Sequence, residues 1–294
     1  MMDRCAACGS LELEPHLSVR RSNGSSLAAT TTEYGTASGD LVRCASCGHM
    51  QVDTFPQALD ESYAEVIDEA YLAEEMGQRA TAARALELIE RHVGRGALLD
   101  VGAWVGFVVS EAERRGWDAV GVEPSRFASA LARERFGARV ETGTLHEIDL
   151  PERHFDAVVL GDVIEHLPEP GETLERITRL LRPGGVLYLA LPDAGSRVAG
   201  VLGARWWSVL PTHVHYFTRS SLARLLSRHG YLTEWVGTAP KAFTVRYYLD
   251  RLKGYAPPVA AGAVAVAEQT GVAERIVWPD FRDRMAVLAR YPAQ

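Results

Sequence analysis

From residue 97 onward, short runs of apolar residues alternate with longer stretches in which apolar side chains recur every three or four positions. The runs 97–101, 119–122, 138–141, 155–160 and 186–191 predict buried strands, because a strand covered on both faces reads as unbroken hydrophobic sequence. The stretches 105–115, 125–136 and 172–181 predict amphipathic helices. In the last of these Leu174, Ile177, Leu180 and Leu181 share one face, and Gly137 closes the second as a C-cap. Further on, 222–229 reads as a helix ended by Gly230, and 232–238 and 284–289 as two more strands. Strands and helices alternating at this spacing predict an α/β, doubly wound, parallel sheet. Upstream, 78–91 predicts a helix with Ala82, Leu86 and Ile89 on its apolar face.

Composition adds little beyond excluding classes. The 294 residues are 47% hydrophobic and 23% charged, enough for a large core. A net charge of −7 lacks the basic face that nucleic-acid coating requires. The longest apolar run, 256–267, is too short and too rich in Pro and Gly to span a bilayer. The opening Met-Met-Asp-Arg-Cys carries no apolar signal region. The expectation is a cytoplasmic protein with no membrane or nucleic-acid partner.

All four cysteines lie in the first fifty residues, as Cys5-Ala-Ala-Cys8-Gly and Cys44-Ala-Ser-Cys47-Gly. Two C-x2-C knuckles supply the four soft ligands of a tetrahedral Zn²⁺, and four thiolates leave no open position for catalysis. A structural zinc is therefore expected at Cys5, Cys8, Cys44 and Cys47. His49, close by, reads as a surface residue. The segment 21–39 between the knuckles is rich in Ser, Thr, Gly and Ala, which predicts turns rather than a helix.

The first predicted core strand runs into Asp100-Val101-Gly102-Ala103-Trp104-Val105-Gly106 and then a helix. Glycines at such a turn let the backbone approach a ligand closely. The spacing is G-x-x-x-G rather than the G-x-G-x-x-G of dinucleotide sites. The second strand ends at Glu123, placed to accept hydrogen bonds from a ribose diol. Farther along, His213 and His215 are two apart, so an extended segment turns both to one side. H-x-H suits a metal, but the sequence places no third ligand beside it; substrate contact and structural hydrogen bonding remain the other roles. Trp206, Trp207, Tyr216 and Phe217 fit either an aromatic wall or core.

The motifs LLDVGAWVG, VGVEPS, FDAVVLGDVIEHLPEP, LLRPGGVLYLALP and RMAVLARY, in this order, resemble those of the class I S-adenosylmethionine-dependent methyltransferases. The paired knuckles and the segment WWSVLPTHVHYFTRSSLARLLSRHGY resemble bacterial members acting on sugars and other small metabolites. The resemblance implies a Rossmann-like seven-stranded sheet and S-adenosylmethionine as cofactor. It implies that Asp100, Gly102 and Gly106 line the methionine part, that Glu123 holds the ribose, that Thr144 and Leu145 flank adenine, and that Asp162 faces the amino-acid end. Trp104 departs from the family, which has a small residue there. The resemblance also puts Glu165 and His166 beside the substrate, with His166 suited to proton transfer near neutral pH, and places Tyr63 and Tyr71 on a lid. Of the histidine pair, His213 joins His166, Glu165 and Tyr63 as a catalytic candidate.

The expected organisation is a small zinc-ribbon-like module at 1–54, a helical lid or linker at 55–96, and a class I methyltransferase domain at 97–294. A mostly helical insertion at about 241–280 closes over the site or pairs subunits as a homodimer. The expected reaction methylates a small-molecule biosynthetic intermediate, a natural product or a sugar, with oxygen preferred over carbon or nitrogen. A non-catalytic zinc-ribbon adaptor and a nicotinamide-dependent oxidoreductase are the alternatives.

Overall fold

The computed structural model describes residues 4–22, 31–55 and 68–293. Five short strands open the chain: β1 (Leu13–Leu17), β2 (Arg20–Arg21), β3 (Thr36–Ala37), β4 (Leu41–Cys44) and β5 (Met50–Val52). Helices α1 (Glu69–Leu72) and α2 (Glu75–Glu90) follow. The core alternates as β6 (Ala97–Val101), α3 (Phe107–Arg114), β7 (Asp118–Glu123), α4 (Arg126–Phe136), β8 (Val140–Thr142), β9 (Phe155–Gly161), α5 (Pro170–Leu180) and β10 (Leu181–Pro192). Helix α6 (Arg197–Leu202), strand β11 (His215–Tyr216) and helix α7 (Arg219–Arg228) lead to β12 (Leu232–Thr238). The insertion comprises β13 (Phe243–Thr244), α8 (Val245–Arg251), α9 (Pro257–Gln269) and β14 (Ile276–Val277), before the last strand, β15 (Arg284–Arg290).

The large sheet has seven strands in the order β12-β15-β10-β9-β6-β7-β8. Strands β6 to β10 pair in parallel, and β15 lies antiparallel to β10 and β12. Successive residues alternate faces, so Leu99, Val158 and Leu187 join one hydrophobic cluster while Leu98, Val159 and Tyr188 join the other. Both faces are covered, which is why these strands read as continuous apolar runs. The chain winds outward from β6 through β7 to β8, then returns to the other side of β6 with β9. The carboxyl ends of β6 and β9 therefore flank the crevice where such sheets bind ligands.

Most boundaries shift by one to three residues from the expected ones, and two shifts have a visible cause. Strand β8 begins at Val140 rather than 138, because Ala138 N–H still bonds back to Ala132 O at the helix end. The backbone becomes extended already at Leu181, which pairs with Phe155; a break then follows before Val186 resumes the ladder.

The N-terminal sheet has the order β1-β4-β5-β11, so its last strand comes from the loop after β10. Gln51 pairs with His215 and Met50 with Tyr216. Leu41, Met50 and Val52 pack with Trp206, Val214 and Tyr216, and Cys5, Ala7 and Cys44 join the cluster of Phe217, Leu222 and Leu225. The knuckle region thus shares its interior with the large sheet's surroundings. His49 is a correction: it is buried, not on the surface, packed under Phe217 with ring centroids 4.5 Å apart. No helix among the described residues is long and apolar enough to cross a membrane.

Candidate functional site

A cavity of about 870 Å³ opens at the carboxyl ends of the parallel strands, walled by the loops after β6, β7, β8 and β9 and roofed by α1 and the insertion. Its first wall is the turn after β6. Gly102, Trp104 and Gly106 all have positive φ, at 71°, 49° and 76°. A tryptophan in that region costs roughly 1–2 kcal/mol relative to an ordinary backbone conformation. The Trp104 N–H donates to Glu123 Oε2 at 2.8 Å, and Ser125 N–H donates to Oε1 at 2.8 Å. A carboxylate offers about four lone-pair sites, so Glu123 retains capacity for two more donors. Burial pushes its pKa up despite those two bonds.

Gly102, Glu123, Thr144, Leu145 and Asp162 line the cavity, together with Trp104 and Tyr71. Asp100 and Gly106 do not. Asp100 sits behind the wall, 4% exposed, where burial and then the charge of Glu123 raise its pKa well above the carboxylate range. Gly106 serves packing instead: a Cβ there would lie 2.6 Å from that of Ala138. Tyr63 lies outside the described residues. Tyr71, on α1, sits with its ring 6.2 Å from Trp104 and 5.9 Å from Phe243.

Asp162 ends β9 in a left-handed conformation, with φ 57°. Its carboxylate is held by Lys241 Nζ at 2.6 Å and Arg284 Nη2 at 2.5 Å. Burial alone would raise this carboxyl, but the two cations outweigh it and keep it well below the usual range. Sequence reasoning missed both partners. Arg284 reaches the site because β15 runs antiparallel, so its first residue meets the carboxyl ends of its neighbours. An arginine opening the apolar run RMAVLA was the available signal.

Glu165, His166 and His213 converge on one point, with one ligand atom of each within 4.8 Å of the others. His166 Nδ1 lies 2.9 Å from Thr212 O, and His213 Nδ1 lies 2.8 Å from Ser208 O. A carbonyl only accepts, so both Nδ1 atoms carry the proton. The Glu165 backbone carbonyl accepts from Val214 N–H at 2.9 Å and His215 N–H at 3.0 Å, which clamps the two segments together. Burial pushes the Glu165 carboxyl up to about 8, with the Asp162 charge adding to it. Burial likewise pushes His166 down to about 4 and His213 well below its ordinary value.

The two histidines of H-x-H part company, contrary to the expectation that they share a side. His213 N–H closes a turn onto Leu210 O, and only His215 and Tyr216 extend as β11. His213 lines the cavity beside His166, ring centroids 4.7 Å apart. His215 turns toward the N-terminal sheet, where its Nδ1 lies 3.2 Å from His49 Nε2. Of the four aromatics, Trp206, Tyr216 and Phe217 are core; Trp207 lines the cavity and donates to Asp283 Oδ2 at 2.7 Å.

The four cysteines meet beside the N-terminal end of the chain, against the cluster of Phe217, Leu222 and Leu225. Cys5 Sγ and Cys47 Sγ are 3.5 Å apart, as are Cys8 Sγ and Cys44 Sγ, and all four sulfurs lie within 4.8 Å of one another. Sulfurs at the corners of a tetrahedron around Zn²⁺ are separated by about 3.8 Å for a bond length near 2.3 Å. The donor set and its spacing fit that ion.

A family model described as a methyltransferase domain matches residues 72–233. The ubiquinone biosynthesis O-methyltransferase of Nitrobacter winogradskyi is 30% identical over 171 residues, covering 52% of this chain and 63% of the relative. That of Alkalilimnicola ehrlichii is 32% identical over 127 residues, covering 40% and 51%. The chain thus spans less than two thirds of the length of either relative. The structure of Burkholderia thailandensis 1,6-didemethyltoxoflavin-N1-methyltransferase, with its substrate and S-adenosylhomocysteine bound, matches with a TM-score of 0.51 at 20% identity. That match covers 84% of this chain and 96% of the other, and at this identity the likeness is one of fold. With the expected seven-stranded sheet present and more than half its length matched by the family model, the chain belongs to the methyltransferase domain family.

Proposed function

We propose that the protein transfers a methyl group from S-adenosylmethionine to a hydroxyl of a small biosynthetic intermediate. The observation that carries this reading is the cavity's two-sided construction. Glu123, at the end of β7, stands on one side of the β6 turn, and the Glu165, His166 and His213 cluster beyond β9 stands on the other. One side suits a ribose diol and the other an acceptor that must lose a proton.

S-adenosylmethionine, when bound, supplies the methyl group from its sulfonium. What the chain supplies is alignment, because an in-line displacement gains most from proximity and orientation. Gly102 and Trp104 form the floor, Glu123 holds the ribose, and Thr144 and Leu145 border the adenine. Tyr71, Trp207, Phe243 and Phe281 offer flat aromatic walls to the acceptor. The relatives' names support oxygen over carbon or nitrogen as the methylated atom. A natural-product or sugar intermediate is the acceptor class we favour. We also assign a structural Zn²⁺ to Cys5, Cys8, Cys44 and Cys47, supported by their sulfur spacing.

Calorimetric titration with S-adenosylhomocysteine, with NAD⁺ run in parallel, tests the cofactor. Micromolar binding of the former alone is the expected result. Binding of NAD⁺ instead, or silence with both, overturns the reading.

A further inference from the structure

We propose that Glu165, His166 and His213 bind a divalent metal ion on the acceptor side of the cavity, a site separate from the four cysteines. Three observations carry it. First, the three side chains come from two distant segments yet bring their ligand atoms within 4.8 Å of one another. Second, both imidazoles are oriented by a backbone carbonyl on Nδ1, at 2.9 Å from Thr212 O and 2.8 Å from Ser208 O. In the neutral ring that bond leaves the lone pair on Nε2, and such a second bond is how metal-binding histidines are held. Third, Glu165 is 1% exposed, and neither carboxylate oxygen has a hydrogen-bond partner among the described residues. Without a partner a buried carboxylate is among the costliest arrangements in a protein. One cation would satisfy the buried carboxylate and take both imidazoles as further ligands.

The neighbouring charges leave room for it. Lys241 and Arg284, the cations beside the cluster, are both committed to Asp162. The clamp from Glu165 O to Val214 and His215 N–H fixes the two ligand-bearing segments in register, so the donor set is preformed. Two histidines and one carboxylate occupy one face of an ion and leave the opposite positions open. His166 and His213 line the cavity, so those positions face the acceptor.

The inference rests on the methyl-transfer reading only for its purpose. There, the ion acts as a Lewis acid on the acceptor hydroxyl. The hydroxyl proton leaves to solvent, the sulfonium C–S bond breaks and an O–C bond forms, with no change of oxidation state.

The test uses full-length protein with its cysteine site loaded with zinc, free of cofactor and acceptor. Titration with Mn²⁺, followed by calorimetry and electron paramagnetic resonance, is expected to show one additional ion per chain. Glu165→Gln and His213→Gln, each checked for folding by circular dichroism, are expected to weaken it more than tenfold, since even outer-shell changes cost about 10–100-fold. Co²⁺ supplies a readout that needs no variant. Nitrogen and oxygen ligation gives weak visible bands, whereas sulfur ligation gives intense near-ultraviolet absorption. No additional ion, an ion indifferent to both variants, or a sulfur-type Co²⁺ spectrum for the added equivalent overturns the site. Binding of S-adenosylhomocysteine is measured on the same sample. Cofactor binding without the ion sinks the metal site alone, and the ion without cofactor binding sinks the methyl-transfer reading alone.

Discussion

The backbone N–H of Trp104 donates to Glu123 Oε2 at 2.8 Å, so the bulky residue of the turn after β6 is tied to the carboxylate that ends β7. The bond joins the ends of adjacent parallel strands. It also explains how a tryptophan is held at φ 49°: the turn is fixed by its acceptor rather than by the side chain. Glu123→Ala therefore removes the proposed ribose acceptor and strands the N–H groups of Trp104 and Ser125 together. The expected loss in S-adenosylhomocysteine affinity is about 1–3 kcal/mol, read by calorimetry. Affinity unchanged from the parent would remove Glu123 from the binding site.

Asp162→Asn leaves Lys241 and Arg284 facing each other without their shared carboxylate. Because the Asp162 side chain is 28% exposed, the cost is set at about 1–3 kcal/mol, below that of breaking a fully buried pair. Urea denaturation should show a lower midpoint at the same slope. Equal midpoints would mean that the two cations find other partners.

Removal of the zinc proposed for the cysteine site should lower the unfolding temperature of the whole chain, since the N-terminal sheet shares its interior with Trp206, Tyr216 and Phe217. The effect should be uneven. Turnover should fall further than S-adenosylhomocysteine affinity, because His213 hangs on the segment paired to β5 while Glu123 stands on a separate strand. Loss of both in equal measure would show that the sheet supports the entire cavity.

Glu90 supplies a pH prediction away from the site. Burial is the largest single influence and raises its carboxyl, but bonds from Arg115, Arg95 and Trp117 together outweigh it and hold it at about 2, against an ordinary 4.5. A depressed carboxyl contributes stability that is full above about 4.5 and is lost as pH falls toward 2. Glu90→Gln should therefore reduce stability at pH 7 by roughly 1–2 kcal/mol, a figure discounted for solvent screening. The same change should flatten the acid limb between pH 5 and 3, with urea midpoints across that range giving the comparison. Parallel acid limbs would assign the loss of stability to other carboxylates.

The sheet was legible because both its faces are buried, so the apolar runs Ala97–Leu99 and Ala157–Leu160 stand out in β6 and β9. The position of Glu123 was legible as the end of a predicted strand, whereas Glu165 and His166, four and five residues beyond the end of β9, were picked out by the resemblance. What required the structure depends on pairing between distant segments. His213 and His215 parted because a turn onto Leu210 precedes β11, and no local pattern marks that turn. Arg284 and Lys241 came to Asp162 through the reversed direction of β15 and the fold of the insertion. His49 was misread because its cover, His215, lies 166 residues away.

That separation has a consequence for how the chain assembles. As the polypeptide is synthesised, β4 and β5 exist long before β11, so the N-terminal sheet waits with an open edge while the whole parallel core is made. Pairings across such distances are slow, because the loop must be closed before it is rewarded. A metal ion held by the two knuckles would keep β1, β4 and β5 together during that wait. In this order of events the cysteines guard a template, and the histidine-bearing loop is the last piece laid against it.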